Sequence, residues 1–106
     1  MELVTEIYRI TREFPKDELY GLVSQLRRAA VSVPSNLAEG YGRNSRKELH
    51  QFVGVARGSL AEVETQIEIA KNLGYMTGES CSEFLSRVDE VGRVLTGLRE
   101  WSKSSG

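Results

Sequence analysis

Residues 19–41 read LYGLVSQLRRAAVSVPSNLAEGY, and the spacing of their apolar positions decides the fold class. Leu19, Leu22, Val23, Leu26, Ala30, Val33, Leu37 and Tyr41 recur at steps of three and four, along one side of an α-helix. The stripe continues through Pro34. A proline inside a helix removes a backbone donor and costs roughly 3 kcal/mol. Because the spacing survives it, the stretch is expected to be one helix, kinked near Pro34, rather than two short ones.

The same period governs the rest of the chain. Leu3, Ile7, Ile10 and Phe14 form a stripe before this helix, widened by Val4 and Tyr8. Leu49, Phe52, Val53, Ala56, Leu60, Val63, Ile67 and Ala70 form one after it, and Cys81, Phe84, Val88, Val91, Leu95 and Leu98 form the last. No alternating run of β-branched residues is long enough for a strand. The punctuation agrees. Phe14-Pro15 stops the first helix, because a residue before proline is pushed out of the α region, and Asp17 is a suitable N-cap for the second. Gly40-Tyr-Gly42 closes the second, and Ser45-Arg-Lys-Glu48 has capping-box spacing. Gly74 suits a left-handed C′ position, and Thr77 or Ser80 caps the last helix. Helices are therefore expected at residues 1–14, 17–40, 45–73 and 78–101, with 102–106 a frayed tail. Short connections make successive helices antiparallel, giving an all-α, up-down-up-down four-helix bundle.

At 106 residues the chain is one domain. Fourteen Lys and Arg face fifteen Asp and Glu, a formal net charge of −1. A free-standing nucleic-acid domain is usually strongly basic, with a pI above about 9; the pI here is about 5.9. No apolar run reaches the length of a membrane span, and the first residues lack the features of a secretory signal. One cysteine makes no internal disulfide, so a cytoplasmic protein with no membrane contact is expected.

Amphipathicity fails in two places. Ala29 to Ala38 carries no charge on any face. The third helix bears a second stripe of Val55, Ser59, Glu62, Gln66, Ile69 and Leu73. A helix apolar or small nearly all round is covered on more than one side, and a four-helix bundle of this size covers only one. The extra faces are expected to be contacts between copies of the chain. Ala29, Ser32, Ser35, Asn36, Glu39, Ser59, Glu62 and Gln66 are the candidate oligomer or helix-contact residues. Buried polar groups must find partners, so Asn36, Ser59, Glu62 and Gln66 are read as bonding one another or backbone. Glu64 points elsewhere and is read as solvated.

Catalytic chemistry finds little to work with. His50 is the only histidine, and Lys47 stands where a Glu-x-x-His metal pair would need an acid. Cys81 lies on a core stripe, where a cysteine behaves as a small hydrophobe. No phosphate loop, zinc spacing or nucleophile elbow is present. No enzyme, cofactor or metal is expected; an enzyme would have to assemble Glu39, Glu62 and His50 across subunits. The basic residues are the remaining signal. Gln25 to Lys47 holds Arg27, Arg28, Arg43, Arg46 and Lys47 against the single acid Glu39, and these five are the candidate nucleic-acid contacts. Residues 1–57 carry a net +2 and residues 58–106 a net −3. Repetition on a symmetric oligomer would multiply the attraction to phosphates.

The run Gln25-Leu-Arg-Arg-Ala-Ala-Val-Ser-Val-Pro-Ser-Asn-Leu-Ala-Glu-Gly40, preceded by Phe14-Pro and Tyr20-Gly-Leu, resembles the four-helix-bundle proteins encoded in 23S rRNA intervening sequences. Arg57-Gly-Ser-Leu-Ala-Glu-Val-Glu-Thr-Gln66, Leu73-Gly-Tyr75 and Glu90-Val-Gly-Arg-Val-Leu-Thr-Gly-Leu98 add to the likeness, in order. That family is related to the accessory variability proteins of diversity-generating retroelements, which partner a reverse transcriptase and bind nucleic acid. The resemblance implies a homopentamer of antiparallel bundles with RNA or DNA as a partner, or an adaptor presenting its surface to a polymerase or other macromolecule. It implies motif roles, mostly architectural, for Arg27, Arg28, Ser35, Asn36, Glu39, Gly40, Arg43, Ser59, Glu62 and Glu64. Members usually carry a Leu-x-Val-Trp segment before the stretch matching Glu2 to Tyr8, so either a misassigned start codon or a shortened first helix is expected here.

Overall fold

Backbone and side-chain caps set where the long helices begin and end. The computed structural model describes residues 2–103, in four helices: α1 (Glu2–Thr11), α2 (Leu22–Tyr41), α3 (Arg46–Asn72) and α4 (Gly78–Lys103). The Ser45 hydroxyl accepts the Glu48 N–H at 3.0 Å and opens α3. Gly74, at φ 82°, ends it. The Gly74 N–H donates to the Lys71 carbonyl at 3.0 Å and the Tyr75 N–H to Ala70 at 2.9 Å, the paired bonds of a Schellman turn. Of the two candidate caps for α4, Thr77 is the one used: its hydroxyl accepts the Ser80 N–H at 3.0 Å.

Three boundaries differ from expectation. The first helix stops at Thr11 rather than residue 14, and Phe14 is buried from an irregular turn. The Thr11 hydroxyl donates back to the Ile7 carbonyl at 2.7 Å, and the chain leaves the helix ahead of the Phe14-Pro15 restriction. The second helix begins at Leu22, not 17; Lys16–Glu18 is a single 3₁₀ turn and Asp17 caps nothing. Glu18 takes that role, its carboxylate accepting the Leu22 N–H at 3.3 Å and the Tyr75 hydroxyl at 2.8 Å. Fraying from residue 102 is also corrected. α4 runs through Lys103, and Ser102 is 1% exposed. The rest of that tail, 104–106, and Met1 lie outside the described residues.

α2 passes through Pro34 as one continuous helix. The helix closes within Gly40-Tyr-Gly42, with Gly42 as its C-cap, and tight packing explains Gly40 in its last turn. A Cβ there would meet Phe52 Cβ at 2.9 Å and Leu49 Cδ1 at 3.0 Å, so only glycine lets α2 and α3 approach this closely. α2 against α3 is the most extensive helix pairing, followed by α3 against α4 and then by α1 on α2. Leu26, Val33, Val53, Val63, Ile67 and Leu95 form the centre of the core, each under 2% exposed. Cys81 is buried among them as a core residue.

α1 is short. Its ten residues span about 15 Å, against about 40 Å for the 27 of α3. It lies at the end where α3 turns into α4: Phe14 packs on Tyr75 with ring centroids 5.5 Å apart, and Glu6 pairs with Arg87 at 3.7 Å. The bundle thus has two unlike ends. One holds the α3–α4 turn and the α1–α2 connection; the other holds the α2–α3 turn and the C-terminus of α4.

Candidate nucleic-acid interface

The five basic residues singled out in the sequence fall in two places. Arg27 and Arg28 lie near the start of α2, about 24 Å along the helix axis from Arg43. Arg27 is half-buried, its Nε donating to the Thr11 hydroxyl at 2.9 Å and its guanidinium 4.5 Å from the Tyr8 ring centroid. The charge is committed to holding α1 on α2. Arg28 is exposed beside the cleft between α2 and α3.

Arg43, Arg46 and Lys47 come together around the α2–α3 turn. Arg43 pairs with Glu39 at 3.2 Å and lies over Phe52, 5.3 Å from the ring centroid. Arg46 sits 3.7 Å over the Trp101 indole, and its Nη2 donates to the Trp101 carbonyl at 3.1 Å. Lys47 is exposed. The last turns of α4 bring Arg99 and Lys103 to the same end. His50 fastens that end: its Nδ1 lies 3.0 Å from the Ser102 hydroxyl and 3.1 Å from the Arg99 carbonyl.

The outcome is a charge-polarised bundle. Around the α2–α3 turn and the α4 C-terminus, Arg43, Arg46, Lys47, Arg99 and Lys103 face Glu39, Glu48 and Glu100, a net +2. Around the other end, Arg9, Arg12, Lys16, Lys71 and Arg87 face Glu6, Glu13, Asp17, Glu18, Glu68, Glu79 and Glu83, a net −2. That acidic end is tied by its own bonds. The Glu18 carboxylate holds the Tyr75 hydroxyl above its ordinary pKa by accepting its proton in a hydrogen bond. The Arg9 guanidinium, hydrogen-bonded to Glu6, keeps that carboxyl below its usual range.

The candidate contact residues form part of the α2–α3 junction. The Ser32 and Ser59 hydroxyls are 2.8 Å apart, and Asn36 Nδ2 donates to both the carbonyl and hydroxyl of Ser32 at 2.8 Å. Gln66 Nε2 reaches Gln25 Oε1 at 3.4 Å. Ala29 is buried beside them. Ser35, Glu39, Glu62 and Glu64 are exposed, so Glu62 stands outside the network expected for it. Among the described residues, no group of three or more His, Cys, Asp and Glu could hold a metal. No described helix is long and apolar enough to cross a membrane.

Trp101, Arg99 and Lys103 were not singled out from the sequence as part of this end. A signal was present for Trp101. The α4 stripe of steps three and four continues from Leu98 to Ser102, leaving the tryptophan off the core face.

A family model described as 23S rRNA-intervening sequence protein matches residues 1–97. The chain belongs to that family. The 23S rRNA-intervening sequence match spans the bundle from α1 into α4 and includes the α2–α3 turn with Arg43, Arg46 and Lys47. Trp101 and Lys103 lie beyond it. No match was found among curated proteins.

Proposed function

We propose that this member of the 23S rRNA-intervening sequence protein family is a non-enzymatic, oligomeric bundle that binds nucleic acid through the basic end around the α2–α3 turn. The observation that carries the reading is the convergence of Arg43, Arg46, Lys47, Arg99 and Lys103 at one end, with the excess acid at the other. Such a dipolar molecule presents a local positive field that its net charge of −1 conceals, and phosphates respond to the local field. Oligomerisation is supported by large apolar side chains on the outside of the bundle: Val55 is 52% exposed and Val94 69%. A pentamer, as the family resemblance implies, would repeat the basic end five times.

The test is fluorescence anisotropy with labelled 23S rRNA fragments at low and moderate salt, with molar mass measured by light scattering. Binding is expected to weaken steeply with salt, and the double variant Arg43→Glu, Lys47→Glu to lose it. Both side chains are exposed, so the fold should survive the exchange. No binding by the assembled protein at low salt would end the proposal. The same exposed apolar faces favour an adaptor as the second reading, with a polymerase such as a reverse transcriptase as partner. It predicts a protein partner whose retention survives nuclease treatment.

A further inference from the structure

The basic end carries aromatic surface as well as charge. An open cleft of about 310 Å³ there has Tyr41, Arg43, Arg46, Leu49 and Trp101 among its lining residues. Its size falls at the lower end of the ~300–1,000 Å³ typical of small-ligand clefts. Tyr41 is 62% exposed and Trp101 51%, two large aromatic side chains in one cleft. The Arg46 guanidinium, 3.7 Å over the indole and bonded to the Trp101 carbonyl, fixes the tryptophan's orientation. His50 and Ser102 hold the same turn of α4 from the core side. The indole is therefore pre-positioned rather than adaptable.

Planar aromatic and guanidinium surfaces beside exposed cationic side chains are what unpaired nucleotides use. Their base faces stack while their phosphates meet Lys and Arg. A duplex keeps its base faces inside and gains only the charge. We propose that this cleft seats unpaired nucleotides of a nucleic-acid strand, bases against Tyr41 and Trp101 and phosphates toward Arg43 and Lys47. This rests on the nucleic-acid reading above and narrows it to single-stranded segments, a chemistry shared by RNA and DNA.

Trp101 is the only tryptophan in the chain, so its emission reports on the cleft directly. The full-length protein is titrated with short oligouridylate, short oligothymidylate and a fully paired duplex of equal length. Single strands are expected to quench Trp101 saturably and to bind more tightly than the duplex. Quenching by the uridylate alone identifies RNA as the source, by the thymidylate alone DNA, and by both a strand binder indifferent to the sugar. Tyr41→Ala should weaken single-strand binding at least about fivefold, the low end for losing one stacked base. Tyr20→Ala is the control: Tyr20 is 92% exposed but nearly the length of α2 away, and its loss should change nothing. Duplex binding as tight as single-strand binding, or Tyr41→Ala without effect, overturns this inference and leaves the nucleic-acid reading standing. No binding of any strand at low salt defeats both. Quenching in the unaltered protein decides the matter even if a variant misfolds.

Discussion

Replacing Gly40 by alanine places a methyl carbon 2.9 Å from Phe52 Cβ and 3.0 Å from Leu49 Cδ1, with the Leu49 Cα at 3.5 Å. The first is shorter than real Cβ contacts show, and the second is tight enough that Leu49 must shift. Leu49 is 5% exposed, so its side chain has little room to yield. Overpacking of this kind typically costs about 1–3 kcal/mol. Against it, alanine in a helix interior gains about 0.8–1 kcal/mol over glycine. The balance is a net loss of about 1 kcal/mol. Gly58 is also interior to a helix, but a Cβ there meets nothing within 4 Å. Gly58→Ala should therefore keep the full propensity gain and stabilise the protein by about 1 kcal/mol. Urea denaturation followed by circular dichroism at constant protein concentration compares the two. The midpoints should move in opposite directions, with the slope unchanged. If Gly40→Ala proves as stabilising as Gly58→Ala, the close α2–α3 approach is wrong.

Ser32→Ala should cost about 0.5–1.5 kcal/mol, because it leaves the buried Ser59 hydroxyl short of a partner, whereas Ser59→Ala should cost less, because Ser32 keeps its bond from Asn36. The double variant should cost less than the sum, a coupling readable from a double-mutant cycle. Arg27→Ala removes both the bond to Thr11 and the contact with Tyr8. It should destabilise by about 1–2 kcal/mol, and hydrogen exchange should rise first at the α1 amides. Glu6 gives a pH signature. Its carboxyl is held below its ordinary 4.5, chiefly by the hydrogen bond from Arg9, so the folded state binds its proton less readily than the unfolded chain. Its contribution is present above the ordinary carboxylate range and lost as pH falls through the lowered folded value. Glu6→Gln should lower stability in the neutral region, where the ionised carboxyl contributes, and converge with the parent at low pH, flattening the acid side of the profile; a profile parallel to the parent's would refute the assignment.

Helix positions were legible because burial imposes a local, periodic requirement. Leu26, Ala30, Val33 and Leu37 mark one face of α2 whatever lies opposite, and the steps of three and four carried the reading through Pro34. Ser45 and Gly74 were equally legible, since each acts on backbone groups within a few residues. The start of α2 was not. Asp17 had the right chemistry for a cap, but Glu18 holds the Leu22 N–H while receiving the hydroxyl of Tyr75, 57 residues away in sequence. Ser102 misled for a similar reason: a polar tail residue becomes buried only when the distant His50 supplies a neighbour for its hydroxyl.

The sequence by itself therefore determined four amphipathic helices, their antiparallel order, two of the caps and a basic segment from Arg27 to Lys47. Those features depend on neighbours within a turn or two. Only the tertiary structure decided which of those charges act together, because a helix about 30 Å long separates residues that look adjacent in composition. It committed Arg27 to Tyr8 and Thr11, and brought Arg43, Arg46 and Lys47 beside Trp101 and Lys103 from the far end of the chain. It also distinguished Gly40, which lets α2 and α3 close, from Gly58, which faces open space. No local pattern separates those two glycines, because the difference lies in what the opposing helix presents.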